Sequence, residues 1–243
     1  MSVEALLFLA LIVFVASCLQ AAIGFGLGMV AAPFVAIVDA SLLPAVVIML
    51  AIMVSAVIAV VERAALDVRG AGWALVGRVP GSILGAVLVA VVSAQAIGWL
   101  VAATVLVGVV ASLRGWMPRV TRTTQVVAGG LSGVMGTATS IGGAPMALVW
   151  QGSDGPRLRG TMSAFFLVGS VVSTIALAVL GQISLHTLQV TGLLVLPAAL
   201  GIVASRFAVR HLDKRRVRLV ALGASLLGAV LLIGTQTAAL LAG

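Results

Sequence analysis

Six stretches of this chain contain no Asp, Glu, Lys or Arg: residues 5–38, 40–61, 79–113, 123–153, 160–205 and 219–243. A helix needs ~20 apolar residues to cross the hydrocarbon of a bilayer, so these runs hold one or two spans each. Only 8% of the residues are charged and 62% are hydrophobic, too little charge to cover a soluble domain. A transmembrane barrel would instead alternate polar and apolar residues over ~10-residue segments. The chain reads as an all-α integral membrane protein.

The charges divide the chain into a repeated pattern. A long run (5–38) precedes spans near 42–61, 71–93 and 97–113; a second long run (125–151) precedes spans near 160–180, 188–207 and 218–236. At an offset of 112 residues, Gln20 aligns with Ser132, Gly24 with Gly136, Ala32-Pro33 with Ala144-Pro145, and Pro44 with Pro156. Two membrane repeats are expected, residues 1–113 and 125–243, joined by a cytoplasmic linker over 114–124. As one helix, the 34 residues of the first run would be about 51 Å long, well beyond the ~30 Å core. A broken, re-entrant hairpin of two short helices fits better, with bends at "GFGLG" (24–28) and "GTATSIGG" (136–143).

All Lys and Arg except Arg78 fall in four connections: Arg63 and Arg69; Arg114, Arg119 and Arg122; Arg157 and Arg159; and Arg206 through Arg218. The positive-inside rule puts all four in the cytoplasm. That requires each long run to enter and leave on one side, the first from outside and the second from inside. The expected fold is therefore two inverted-topology repeats, each a broken hairpin plus three transmembrane helices, with both termini outside.

Broken hairpins carry the chemistry. Non-helical backbone at membrane depth is costly unless it is buried in protein or lines a wet cavity, and helix N-termini exposed there attract anions. The candidate substrate-binding residues are Gln20, Gly24, Gly26 and Gly28 in the first hairpin, and Gly136, Thr137, Thr139, Ser140, Gly142 and Gly143 in the second. The glycines would admit a ligand to the backbone and the hydroxyls would donate to it. Small residues also permit tight helix packing, and that reading stands beside the first for Gly24, Gly28, Gly129 and Gly133. Arg78 lies inside a span, where a charge costs at least ~2.5 kcal/mol. It is either a counter-charge for an anion or a side chain snorkelling to the interface. Gly77, Gly81 and Gly85 read as a helix-packing stripe.

Other functions find little support. The formal charge of +8 sits in loops between spans, so no nucleic-acid partner is expected. "GLGMVA" (26–31) meets a loose dinucleotide pattern without any βαβ context. No metal-ligand, P-loop or catalytic constellation is present, so neither cofactor nor enzyme activity is expected. Cys18 reads as a packing residue, and Trp73, Trp99, Trp116 and Trp150 as an interfacial belt. The basic run 210–218 reads as a topology determinant. The opening "MSVEALLFLALIVF" lacks a basic n-region and is expected to be a retained membrane segment.

The two Gly-rich hairpins ("QAAIGFGLGMVAAP", "SGVMGTATSIGGAP"), the Pro-Gly patterns "VPGSILGAVL" and "LPAALGIVASRF", and the basic loop before the last span resemble the TauE/SafE family of sulfite and organosulfonate exporters. The resemblance covers essentially the whole chain. It implies a multi-pass protein of the cytoplasmic (inner) membrane that moves small sulfur-containing anions, outward by preference. The first hairpin departs from the second, with Val30 and Ala31 opposite Gly142 and Gly143, which leaves open whether both contact substrate equally. An importer, a channel-like path for similar anions and a non-transporting membrane subunit are the alternatives. Oligomeric state is not set by the sequence.

Overall fold

The computed structural model describes all residues except 115–117, 151, 212–213 and 243, and the side-chain surroundings outside 112–117, 151, 208–218 and 239–243. Among the described residues the chain is helical throughout, with no strand. The helices are α1 (Val3–Ile23), α2 (Leu27–Asp39), α3 (Ala45–Val61), α4 (Val68–Val91) and α5 (Ala94–Arg114) in the first half. The second half holds α6 (Arg122–Thr139), α7 (Gly143–Trp150), α8 (Gly155–Val179), α9 (Leu185–His211) and α10 (Lys214–Ala242). Six of them, α1, α4, α5, α8, α9 and α10, are long and apolar enough to cross a membrane. Their outward side chains, among them Leu7, Leu11, Ile83, Leu193 and Leu200, are exposed apolar groups. That is the surface expected where the solvent is hydrocarbon.

Both long runs break where the weak helix formers stand. Gly24 ends α1 at φ 90° with its N–H donating to the Gln20 carbonyl, and Gly26 follows at φ 125°. Both angles lie in the region that glycine enters without a Cβ penalty. In the second half Ser140 takes the left-handed turn itself, at φ 65°, and its hydroxyl donates to the Pro44 carbonyl at 3.0 Å. The arms are not the two short helices expected. α1 is 21 residues long because nothing charged interrupts it after Glu4, whereas α2 is 13 and α7 only 8. Gly152 and Ser153 follow α7 in a turn, and Asp154 with Pro156 in the first turn opens α8, a position proline favours.

Starts are fixed by caps. The Asp67 carboxylate accepts from the Gly70 N–H at 2.9 Å to begin α4. Thr121 and Thr124 cap one another reciprocally at the head of α6, a pattern that satisfies two otherwise free N–H groups. α6 thus begins at Arg122, inside the segment expected to be linker, and the Arg122 guanidinium stacks over Trp73 at 5.1 Å.

Packing joins the halves. α4 lies along α6, and α1 lies along α9, while α3 packs against α8 at the centre and α10 against α2 and α5. The α4–α6 seam is glycine-lined: a Cβ at Gly77, Gly81 or Gly85 would fall within 3 Å of the carbonyl oxygens of Val126, Gly130 and Val134 respectively. Residue numbers rise together across this seam, so the two helices run parallel. The main apolar core crosses the halves, with Leu9 and Val13 of α1 against a cluster that includes Leu194 and Ala198 of α9. A smaller core holds Met146, Trp150, Met162 and Phe165. Trp150, expected at the interface, is buried edge-on against Phe165; Trp116 lies outside the described residues, as do the side chains of 210–218.

Polar side-chain contacts mark two opposite ends of the bundle. At one, Arg159 pairs with Glu62 and Arg157 with Asp67. At the other, His186 at the start of α9 meets Asp39 at the end of α2.

Candidate functional site

The two hairpin breaks meet. A Cβ at Gly28, in the first turn of α2, would sit 1.8 Å from the Ser140 carbonyl oxygen, so the backbones touch where only glycine allows it. Around this contact lies a small cavity of about 40 Å³, room for roughly three water-sized groups. Gln20, Gly26, Gly28, Arg78, Gly136, Ser140, Gly142 and Gly143 line it, together with Ser170 and Phe166 of α8 and an apolar wall from α3.

Gln20 and Ser132, 112 residues apart in the sequence, do comparable work at the two breaks. The Gln20 side-chain carbonyl accepts from the Leu27 N–H at 3.2 Å, capping α2, and its amide donates to Ser55 at 3.2 Å. The Ser132 hydroxyl donates to the Gly142 carbonyl at 2.5 Å, tying α6 to the head of α7. The N-termini of α2 and α7 thereby open on the cavity, where free N–H groups and the helix dipole favour negative charge.

Arg78 is the centre of the site. It is 3% exposed and does not snorkel. Its Nη1 donates to the Ser132 carbonyl oxygen and, at 3.0 Å, to the Ser132 hydroxyl. Its guanidinium carbon stands 5.4 Å from the centre of the Phe165 ring. The Nε–H is buried without a partner. Among the described residues no carboxylate pairs with it: Glu62, Asp67 and Asp39 are engaged by Arg159, Arg157 and His186. Three glycines make room for the group. A Cβ at Gly136, Gly142 or Gly169 would come within 2.3–2.7 Å of a guanidinium nitrogen.

Three candidates lie off the cavity. Gly24 ends α1 against the Arg159 backbone, its notional Cβ 3.1 Å from that Cα. The Thr137 hydroxyl is 2.7 Å from Ser173, within a buried cluster that includes Ser82. The Thr139 hydroxyl donates to the Met135 carbonyl and accepts from the Ile141 N–H. Both threonine hydroxyls are therefore used inside the protein. Sequence reasoning missed Ser132 as the seat of Arg78 and Gly169-Ser170 on α8. The pairing of Ser132 with Gln20 was the available signal for the first; one Gly-Ser in an apolar helix offered none for the second. Gly129 and Gly133 face Ala74 and Arg78 backbone oxygens, which is helix packing.

A helical bundle with several membrane-crossing segments, two broken hairpins and one buried, carboxylate-free arginine beside their junction defines the class: a polytopic membrane protein built around a fixed cation. The chain belongs to the sulfite exporter TauE/SafE family, which matches residues 9–232 and is a family of membrane transporters. No curated protein and no solved structure matches it.

Proposed function

We propose that this protein exports small sulfur-containing anions, sulfite or organosulfonates such as sulfoacetate, across the cytoplasmic membrane. The substrate is held between the hairpin breaks with Arg78 as counter-charge. The observation that carries the reading is the buried guanidinium itself: a cation midway along an apolar helix, with an unpartnered N–H and, among the described residues, no carboxylate paired with it, on the wall of a cavity. Two helix N-termini face the same space. The family match supplies the substrate class.

The same reading includes an inverted repeat with the basic connections inside and both termini outside. Its support is the packing. Exchanging the halves turns the α4–α6 contact into α9–α1, leaves α3–α8 unchanged, and sends the Gly28–Ser140 contact to itself. Transporters with such halves bind substrate where the repeats meet. An inside-negative potential drives an anion outward by ~2.3 kcal/mol per charge per 100 mV, so export needs no proton carrier in the protein.

The test is sulfite flux in proteoliposomes at a fixed potential. Wild type should conduct sulfite, and Arg78→Gln should lower the flux about tenfold or more, since hydrogen bonds to a charged group are worth ~1.5–3 kcal/mol. Flux unchanged in Arg78→Gln removes the site; an absolute need for a pH gradient removes the uncoupled mechanism.

A further inference from the structure

A second concavity, of about 280 Å³, lies at the end of the bundle marked by the Arg159–Glu62 pair. Its walls are apolar side chains of α1, α3 and α9, such as Ala21, Ile58 and Ile202, and its charged groups are Arg159, Glu62 and Arg206. Two cations and one anion give it a net positive lining. The Arg159 Nε and Nη2 both donate to one oxygen of Glu62, at 2.9 and 2.5 Å, with side chains only 15% and 18% exposed. Arg159 also backs onto Gly24, the last residue before the first hairpin break.

The two cavities are close neighbours. On α1, Gln20 lines the central cavity and Ala21 the second one. On α3 the nearest lining residues are Ala51 and Val57, about 9 Å apart at 1.5 Å per residue. On α8 they are Phe166 and Arg159, about 10 Å apart by the same rise. Between them stand Val54 and Ser55, both fully buried, and the Gly24 turn.

We propose that this concavity is a second anion site, the vestibule through which small oxyanions reach the Arg78 cavity, and that the Arg159–Glu62 pair is its latch. An arriving anion replaces the Glu62 carboxylate on the Arg159 fork, which binds two oxygens as readily as it binds one. Release of Glu62 loosens α3 from α8 beside the Gly24 turn and opens the short barrier. The Arg206 charge holds the anion near the mouth. This inference rests on the transport reading.

The experiment is the sulfite dependence of flux in proteoliposomes loaded and assayed from each side. Glu62→Gln, which keeps the shape and removes the competing charge, should lower the half-saturating sulfite concentration severalfold from the vestibule side only. Arg159→Gln should raise it severalfold from that side with the maximal rate little changed. Equal half-saturation in wild type and both variants overturns the vestibule while leaving Arg78 transport intact. A fall in maximal rate alone gives the pair a structural role and also overturns it. Liposomes of wild-type protein that do not conduct sulfite overturn the transport reading, and this inference with it.

Discussion

The α4–α6 and α1–α9 seams each join a helix of the first half to one of the second but are built differently. Across α4–α6, five glycines on the two helices bring backbone against backbone, each with a carbonyl oxygen within 3 Å of a notional Cβ. Across α1–α9 the close approach is made by Gly201, on Phe14 and Cys18; Leu9, Val13, Leu194 and Ala198 contribute apolar side chains to the core there. The glycine-lined seam is the one that carries a buried charge. Arg78 can reach the Ser132 carbonyl and hydroxyl only if α6 stands very near, and small residues are what permit that distance in lipid. Along the α1–α9 seam the described residues supply mainly apolar side chains, with Arg206 only towards one end. The buried charge and the closest backbone spacing thus occur together, in the seam between α4 and α6.

The largest expected effect tests that spacing. Gly77→Val places a branched side chain where the Val126 oxygen and Gly130 nitrogen already stand. Overpacking typically costs ~1–3 kcal/mol, and backbone cannot move aside as a side chain does, so folded yield in detergent should collapse. Gly192→Ala, with nothing within 4 Å, should leave the melting temperature unchanged or slightly higher. Equal behaviour of the two breaks the comparison.

A smaller effect separates the two hairpin ties. Ser132→Ala removes one acceptor from a buried guanidinium and leaves the Gly142 carbonyl without its donor, at a cost of ~1–3 kcal/mol. Gln20→Leu removes a helix cap, worth ~1 kcal/mol. Thermal melts should therefore rank Ser132→Ala below Gln20→Leu, and the reverse order would place the more demanding hairpin in the first half.

The smallest effect concerns pH. The Gly70 N–H first, and the Arg157 guanidinium second, hold the Asp67 carboxyl below the usual carboxylate range. A depressed folded value means a contribution complete above the ordinary carboxylate pKa of about 3.9 and lost as pH falls through the lowered one. The pair is largely exposed, a class worth ~0–1 kcal/mol. Asp67→Asn should slightly flatten the acid limb of a melting-temperature profile and leave the curve above pH 6 nearly parallel to wild type.

The helical class and the positions of the helices were legible because charges in a membrane chain fall between its apolar helices. Every expected span has its helix, and both breaks fall inside "GFGLG" and "GTATSIGG". The unequal arms were missed, although the uncharged run from Glu4 to the bend at Gly24 already accommodates the 21 residues of α1. At the site, residues chosen for backbone freedom (Gly26, Gly28, Gly142) came together, as did Gln20 and Arg78. Thr137 and Thr139 did not, because a hydroxyl in a helix finds a nearby carbonyl or hydroxyl first, and sequence spacing does not reveal which way it turns.

The seat of Arg78 also fixes an order of assembly. The arginine is made with α4, yet the groups that surround it belong to α6, the head of α7 and α8, the nearest of them, Ser132, 54 residues further along the chain. As synthesis proceeds from the N-terminus, α4 enters the membrane before any of these exists, carrying a charge that lipid tolerates poorly. The first half by itself therefore lacks the groups that satisfy its buried arginine. The contacts of Arg78 with Ser132 tie the first half to the second.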